Sequence, residues 1–228
     1  MPPTSIAPSP ATTDAGTPPP KPKLRGVIHA CTVPLVLAGG IILIVLAPTG
    51  AGKAALAIYL ATAIILFANS AVYHLGHWSA PVHDVLRRID HSNIFLFIAG
   101  TYTPLAVFIL HGGARVAILA VIWGAALCGV LFRVLWLSAP RFLYVAIYIF
   151  MGWAAIWWMG DFWRDGGPVI VVLVLVGGVL YSLGALVYAR KKPDPWPRWF
   201  GFHEIFHSCT VLAAAAHYAA IAIAVLGR

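Results

Sequence analysis

The sequence contains little charge for its length. Of its 228 residues, only 10% are Asp, Glu, Lys or Arg and 61% are hydrophobic, whereas a soluble domain carries about 25% charged residues. This composition excludes an ordinary soluble domain. The mean hydropathy of +0.89 is typical of a polytopic membrane protein, and the length indicates one helical bundle rather than several domains.

Acidic residues and cysteines are also scarce. The 7 acidic and 15 basic residues give a net charge of +8. Because the basic residues lie mainly between the hydrophobic runs, they indicate membrane topology, and no nucleic-acid partner is predicted. Cys31, Cys128 and Cys209 stand singly in apolar runs without a CxxC pair. They are interpreted as small buried side chains rather than as a disulfide framework.

The N-terminal segment lacks the apolar core of a signal peptide. Residues 1–24 contain eight prolines together with Ser, Thr and Ala. This composition predicts a disordered, Pro-rich cytoplasmic tail and not a cleaved leader. Residues 25–228 are assigned to the membrane domain.

Seven long apolar stretches follow the tail, and each is close to the roughly 20 residues that a helix needs to cross a bilayer. Because lipid offers no hydrogen-bond partners to open strand edges, these stretches are predicted to be helices. The fold class is therefore an all-α, seven-transmembrane helix bundle, integral to the cell membrane. The predicted spans are about 26–47, 54–76, 89–110, 114–137, 141–161, 167–189 and 200–226.

Basic residues are distributed unequally between the two predicted sides of the membrane. Eleven of the 15 lie on the side of the N-terminal tail. Since cytoplasmic loops carry an excess of Lys and Arg, the N-terminus is predicted to be cytoplasmic and the C-terminus extracytoplasmic. This assignment assumes that Arg133, near the end of the fourth span, extends its side chain to the cytoplasmic surface.

Five polar residues lie at corresponding depths of three predicted spans. A charged or imidazole group within a span is costly, so a group of them at one level indicates a functional site. Polar contacts between helices are the simpler alternative. Ser70 and His74 close the second span, Asp90 opens the third, and His203 and His207 open the seventh.

The spacing of the histidines is that of metal ligands. His203 and His207 are four residues apart, so their imidazoles lie on one helix face. Together with His74 they provide three ligands, which matches a catalytic Zn²⁺ site with a fourth position for water. Zinc makes such a water a nucleophile at neutral pH. Asp90 is predicted to act on this water or to orient a histidine, and Ser70 to hydrogen-bond beside it.

Glu204 offers a second hypothesis. Residues 203–207 read HExxH, the metalloprotease motif in which the Glu is the general base. A catalytic Glu204 would indicate an intramembrane protease, whereas a Glu at a helix start is also favoured by the helix dipole. Among the other histidines, His29 is a candidate neighbour of the site. His217, about 15 Å along the helix from His207, is predicted to be a buried hydrogen-bonding group.

The same motifs resemble those of the hemolysin III proteins, the bacterial branch of the progestin and adipoQ receptor (PAQR) family. The resemblance extends from Arg25 to the C-terminus and rests on SxxxH, on DHSNIFLFIAGTYTP, and on HxxxH followed by HY. It implies a seven-helix fold and a relationship to membrane hydrolases such as alkaline ceramidases. The implied site residues are zinc ligands at His74, His203 and His207, a water-holding Asp90 and a supporting Ser70.

Several functions are compatible with these features. An enzyme would hydrolyse an amide or ester bond of a membrane lipid such as a ceramide or a phospholipid, near the inner headgroups. A receptor-like or membrane-homeostasis regulator would use zinc as a structural link between helices. A cytolytic pore would require an oligomer, because the outer halves of the spans show no polar stripe; the oligomeric state is left open. The zinc-dependent lipid hydrolase is favoured.

The predicted topology can be tested with reporter fusions. A reporter after Arg228 is expected to be extracytoplasmic, and one in the loop 191–198 cytoplasmic, because of the distribution of basic residues. Paired alkaline phosphatase and fluorescent-protein fusions measure this directly. A cytoplasmic C-terminus would contradict the shared depth of the five polar residues.

Overall fold

The computed structural model describes residues 22–227, so most of the predicted tail, residues 1–21, lies outside the described residues. In this range the chain forms seven long apolar helices, and its one β-type pairing is an isolated bridge between Trp196 and Phe200. The predicted seven-transmembrane fold class is thereby confirmed. The helices are α1 Val27–Leu46, α2 Gly50–Leu75, α3 Ala80–Ile109, α4 Gly112–Leu135, α5 Arg141–Gly166, α6 Pro168–Arg190 and α7 Phe202–Leu226.

Helix α3 begins well before the start that hydropathy indicates, at Ala80 instead of near residue 89. Pro81 lies in its first turn, where a missing backbone N–H costs nothing. The next residues include His83 and Asp84, which are exposed. Hydropathy marks only the apolar part of a helix, so it does not detect polar turns that extend beyond that part.

Helix α3 is the central helix of the bundle. In its most apolar window 78% of the residues are buried, against 22–50% in the other six helices. Small residues allow its neighbours to approach closely. Gly100 of α3 lies against the Thr62 side chain of α2, and Gly129 of α4 lies against the ring of Phe95, so that a Cβ at either glycine would collide. Such contacts are typical of helix packing in membranes.

Helix α5 changes its winding part-way along. It is α-helical over Arg141–Gly152, tightens to a 3₁₀ segment over Trp153–Trp158, and ends in a π-helical turn. The Tyr102 hydroxyl donates to the carbonyl of Gly152 at 2.7 Å and accepts from the N–H of Ala155 at 2.8 Å. This side chain from α3 therefore satisfies backbone groups that the change of winding releases.

Arg133 is fully buried, so the prediction that its side chain extends to the surface is wrong. Its guanidinium donates to His91 Nδ1 at 2.6 Å and to the carbonyl of Trp136 at 3.3 Å, and it lies over the Tyr144 ring. These partners come from three different parts of the chain. A hydropathy profile scores each residue separately, so it does not predict these contacts of Arg133.

The outer surface of the bundle is apolar. Leu35, Phe150 and Trp157 are each more than two thirds exposed, as expected for side chains that face lipid. Cys31 and Cys128 are exposed as well. The interpretation of all three cysteines as buried is therefore wrong for these two, because α1 and α4 bury only a small part of their surface.

Candidate metal centre

Three histidines from two helices lie together at one end of the bundle. His74 comes from the end of α2, and His203 and His207 come from the first turns of α7. One nitrogen from each ring lies within 4.8 Å of the others, and the Nε2 atoms of His74 and His203 are 3.2 Å apart. Because imidazole nitrogens are common metal ligands, this group can hold a metal ion.

The start of α1 connects the two helices that carry these histidines. Gly26 precedes α1 with a φ of +86°, and a Cβ there would lie 2.9 Å from the Cβ of His74. The close approach and the left-handed backbone both require glycine. One turn further on, the His29 ring stacks on His207, with centroids 3.8 Å apart and planes within 9°. The α1 start thus contacts both His74 and His207.

Glu204, the central Glu of the HExxH sequence, has both carboxylate oxygens engaged. Oε1 accepts from Arg25 Nε, and Oε2 accepts from the N–H of Gly201 at 2.8 Å. The second contact caps the start of α7. Glu204 is fully buried, and the Arg25 guanidinium balances its charge. These contacts favour a structural role for Glu204 over that of a general base.

Asp90 and Ser70 lie beside the histidine cluster and next to each other. The Ser70 side chain adjoins the Asp90 carboxyl, and both residues line the same cavity as His207 and His29. Among the described residues, the group with metal-ligand spacing consists of the three histidines alone. Asp90 therefore lines the cavity and lies outside the group with metal-ligand spacing.

The cavity is elongated and mostly apolar. It has a volume of about 100 Å³, measured as the room available to the centres of water molecules. Its lining runs from Asp90 and His207 at one end to His217 at the other, which is ten residues or about 15 Å further along α7. Apolar side chains such as Ile94, Phe97 and Ile149 form the walls between.

Part of the cavity wall comes from residues that the sequence does not single out. Helices α5 and α6 supply part of its wall, including Tyr148, Trp153 and Tyr181. These residues carry no motif, and packing alone brings them to the site. His217, by contrast, is the buried hydrogen-bonding group that its position predicts, with its Nε2 3.2 Å from the carbonyl oxygen of Val174.

A family model described as Haemolysin-III related matches residues 19–218. The chain belongs to this family. This confirms the resemblance inferred from the SxxxH, Asp and HxxxH motifs, and it supports the assignment of this hemolysin III protein as an integral, multi-pass membrane protein.

Similar proteins come from bacteria and from plants. The Hemolysin-3 homolog of Bacillus subtilis (strain 168) is 31% identical over 156 residues, which are 68% of this chain and 70% of the relative. Hemolysin-3 of Bacillus cereus is 31% identical over 173 residues, or 74% and 78% of the two chains. Heptahelical transmembrane protein ADIPOR2 of Oryza sativa subsp. japonica is 30% identical over 181 residues, or 72% and 79%. These relatives place the hemolysin III family within the PAQR proteins.

The Arg25–Glu204 ion pair is expected to stabilise the fold strongly. Replacing Arg25→Met leaves a buried carboxylate without its partner, which costs about 3–5 kcal/mol. Adding Glu204→Gln in the same chain is expected to restore part of the loss, since the two residues are coupled. Thermal unfolding of the purified protein in detergent measures both effects.

Arg164→Met is the matched control for this pair. It breaks the ion pairs of Arg164 with Asp161 and Asp165, in which the Arg164 side chain is 68% exposed, so only a small change in stability is expected. Equal effects of the buried and exposed variants, or strict additivity of Arg25→Met and Glu204→Gln, would contradict the assigned role of the buried pair.

Proposed function

We propose that this protein is a zinc-dependent hydrolase that cleaves an amide or ester bond of a membrane acyl lipid. The observation that carries the proposal is that His207 of the three-histidine cluster lines one end of an elongated apolar cavity, with Asp90 in the wall of that cavity. A metal site alone is compatible with many functions. A metal site that adjoins a cavity of this shape indicates a substrate with a long apolar chain.

The donor set fits zinc. Two nitrogens bound at about 2.0–2.1 Å in a tetrahedral site lie roughly 3.4 Å apart, which is close to the 3.2 Å between the Nε2 atoms of His74 and His203. The cluster offers neither the carboxylate oxygens that Ca²⁺ and Mg²⁺ prefer nor the thiolates typical of structural zinc. Three histidines with a position left for water are typical of catalytic zinc.

The roles of the chain's own residues follow from their positions. A bound zinc ion would supply Lewis-acid activation of a water molecule. Asp90 would accept a proton from the attacking water while the water oxygen bonds to the carbonyl carbon. It would then return this proton to the leaving nitrogen or oxygen as the scissile bond breaks. Ser70 holds the Asp90 carboxyl in place, and the apolar walls bind the acyl chain and exclude water.

A receptor-like regulator is the second candidate. The histidine cluster joins α2 to α7, so a metal there would also lock these two helices together. Another similar protein is named Adiponectin receptor protein, from Drosophila melanogaster. It is 28% identical over 176 residues, which are 68% of this chain and 39% of that protein. The intramembrane protease finds less support, because both oxygens of Glu204, its proposed base, are engaged elsewhere.

The purified protein is expected to hold about one zinc ion per chain, as sites of three histidines do. Replacing His207→Ala should remove the metal, because two remaining histidines seldom suffice. Elemental analysis after size-exclusion chromatography measures the stoichiometry. His217→Ala is the matched control, since His217 lies on the same helix outside the cluster. Equal zinc in the wild type and in a triple Ala variant of His74, His203 and His207 would refute the site.

The Asp90→Asn substitution separates an enzyme from a structural metal site. It preserves side-chain size but removes the base, so zinc should stay bound while hydrolysis falls by about 10²–10⁴-fold. Ser70→Ala is expected to have a milder effect, because Ser70 acts only through Asp90. Fatty acid release from ceramides and phospholipids by the reconstituted protein is the measurement. If no lipid is cleaved above a zinc-stripped control while zinc removal lowers the melting temperature, the regulator is supported instead.

A further inference from the structure

The cavity has a second polar end, remote from the metal centre. Tyr181 of α6 and His217 of α7 both line it, and their ring centroids are 5.6 Å apart. His217 follows His207 by ten residues, a rise of about 15 Å along α7. This distance is about half the roughly 30 Å hydrocarbon thickness of a bilayer, the scale of one acyl chain.

The two side chains offer complementary hydrogen-bonding groups. His217 Nε2 faces the carbonyl of Val174 at 3.2 Å, so the neutral ring donates there and its Nδ1 is an acceptor. The Tyr181 hydroxyl is available as a donor. Both His217 Nδ1 and the Tyr181 oxygen are buried, and within residues 22–227 neither makes a hydrogen bond. A buried polar atom without a hydrogen-bond partner is destabilising, so each of these atoms is expected to have such a partner.

Neighbouring polar groups at this end are already paired. The Ser182 hydroxyl accepts from Trp153 Nε1 at 2.9 Å and donates to the carbonyl of Gly178 at 2.8 Å. The Thr210 hydroxyl donates to a carbonyl of its own helix. The His217 ring is fixed against Gly177 of α6, where a Cβ would collide with it. The available hydrogen-bonding capacity is therefore concentrated on Tyr181 and His217, and their geometry is set by packing.

We propose that Tyr181 and His217 form a subsite for a hydroxyl group on the distal part of the bound acyl chain. A hydroxyl donates to His217 Nδ1 and accepts from the Tyr181 O–H at the same time, which a methylene group does not do. This subsite rests on the proposed function, because it requires an acyl lipid as the ligand, and it specifies which acyl chain is bound. The favoured lipids are those whose chain is hydroxylated far from the carbonyl carbon.

Ligand binding tests the subsite without requiring turnover. The probes are palmitic acid and hydroxypalmitic acids with the hydroxyl next to the carboxyl group, in mid-chain, or near the terminal carbon. Their affinities for the purified full-length protein are measured by ligand-dependent thermal shift. The wild type is expected to bind one of the distally hydroxylated acids roughly fivefold more tightly than palmitic acid, the factor given by one net hydrogen bond. Hydroxylation next to the carboxyl group should give no such gain.

The Tyr181→Phe variant keeps the ring but removes the donor, and it should lose this preference while still binding palmitic acid. Tyr218→Phe is the matched control, because the Tyr218 hydroxyl donates to the carbonyl of Gly39 at 3.1 Å, and Tyr218 is not among the residues that line the cavity. It should keep the preference.

Each outcome decides for or against the subsite. Equal affinity of the wild type for all the acids, as expected if a water molecule pairs with Tyr181 and His217, would overturn it. So would a preference that survives in Tyr181→Phe, or one that is lost equally in Tyr218→Phe. If no fatty acid binds at all, the acyl-lipid ligand itself is refuted together with the subsite. Preferential binding of a distally hydroxylated acid, together with no hydrolysis of ceramides or phospholipids, would count against the proposed enzyme and leave the subsite intact.

Discussion

The structure depends on one constraint, which is that a polar group inside a bilayer has to find its partner within the protein. Tyr102 satisfies the backbone of α5 where the winding changes, and Arg133 is enclosed by His91, Tyr144 and carbonyls at the end of α4. Each partner lies on a different helix from the group that it satisfies, or beyond that helix's end. Polar pairing therefore fixes how the helices are arranged. The lipid-facing surface is apolar on every side and specifies this arrangement much less.

The same constraint explains why the start of α1 has such influence on the histidine cluster. Gly26 lies against His74, Arg25 pairs with Glu204, and the His29 ring covers His207. One short segment, residues 25–29, thus makes three contacts with the two helices that carry the cluster. Histidines bind a metal well only when their rings are already oriented, so a segment that holds the rings in place lowers the cost of binding.

Much of the site could be predicted from the sequence because its signals are local. The i,i+4 spacing of His203 and His207 places both rings on one helix face, and the depth of His74 follows from the length of its span. Other features depend on contacts that no spacing encodes. The Arg25–Glu204 pair joins residues far apart in the chain. The Arg133 side chain points inward, where its guanidinium donates to His91. The part of the cavity wall that α5 and α6 supply is not predicted from the sequence for the same reason, since packing alone brings these residues to the cavity.

The cavity also bears on the choice between an enzyme and a structural metal site. Protein interiors are close-packed, and unfilled space forfeits dispersion contacts. A metal that only links α2 and α7 needs no space beside it, and larger side chains in place of Ala185 or Gly178, which line the cavity, would then improve packing. The open volume is instead continuous from Asp90 to His217 and carries polar groups at both ends. This arrangement supports the proposed acyl-chain ligand, whose reacting bond would lie at the histidine end.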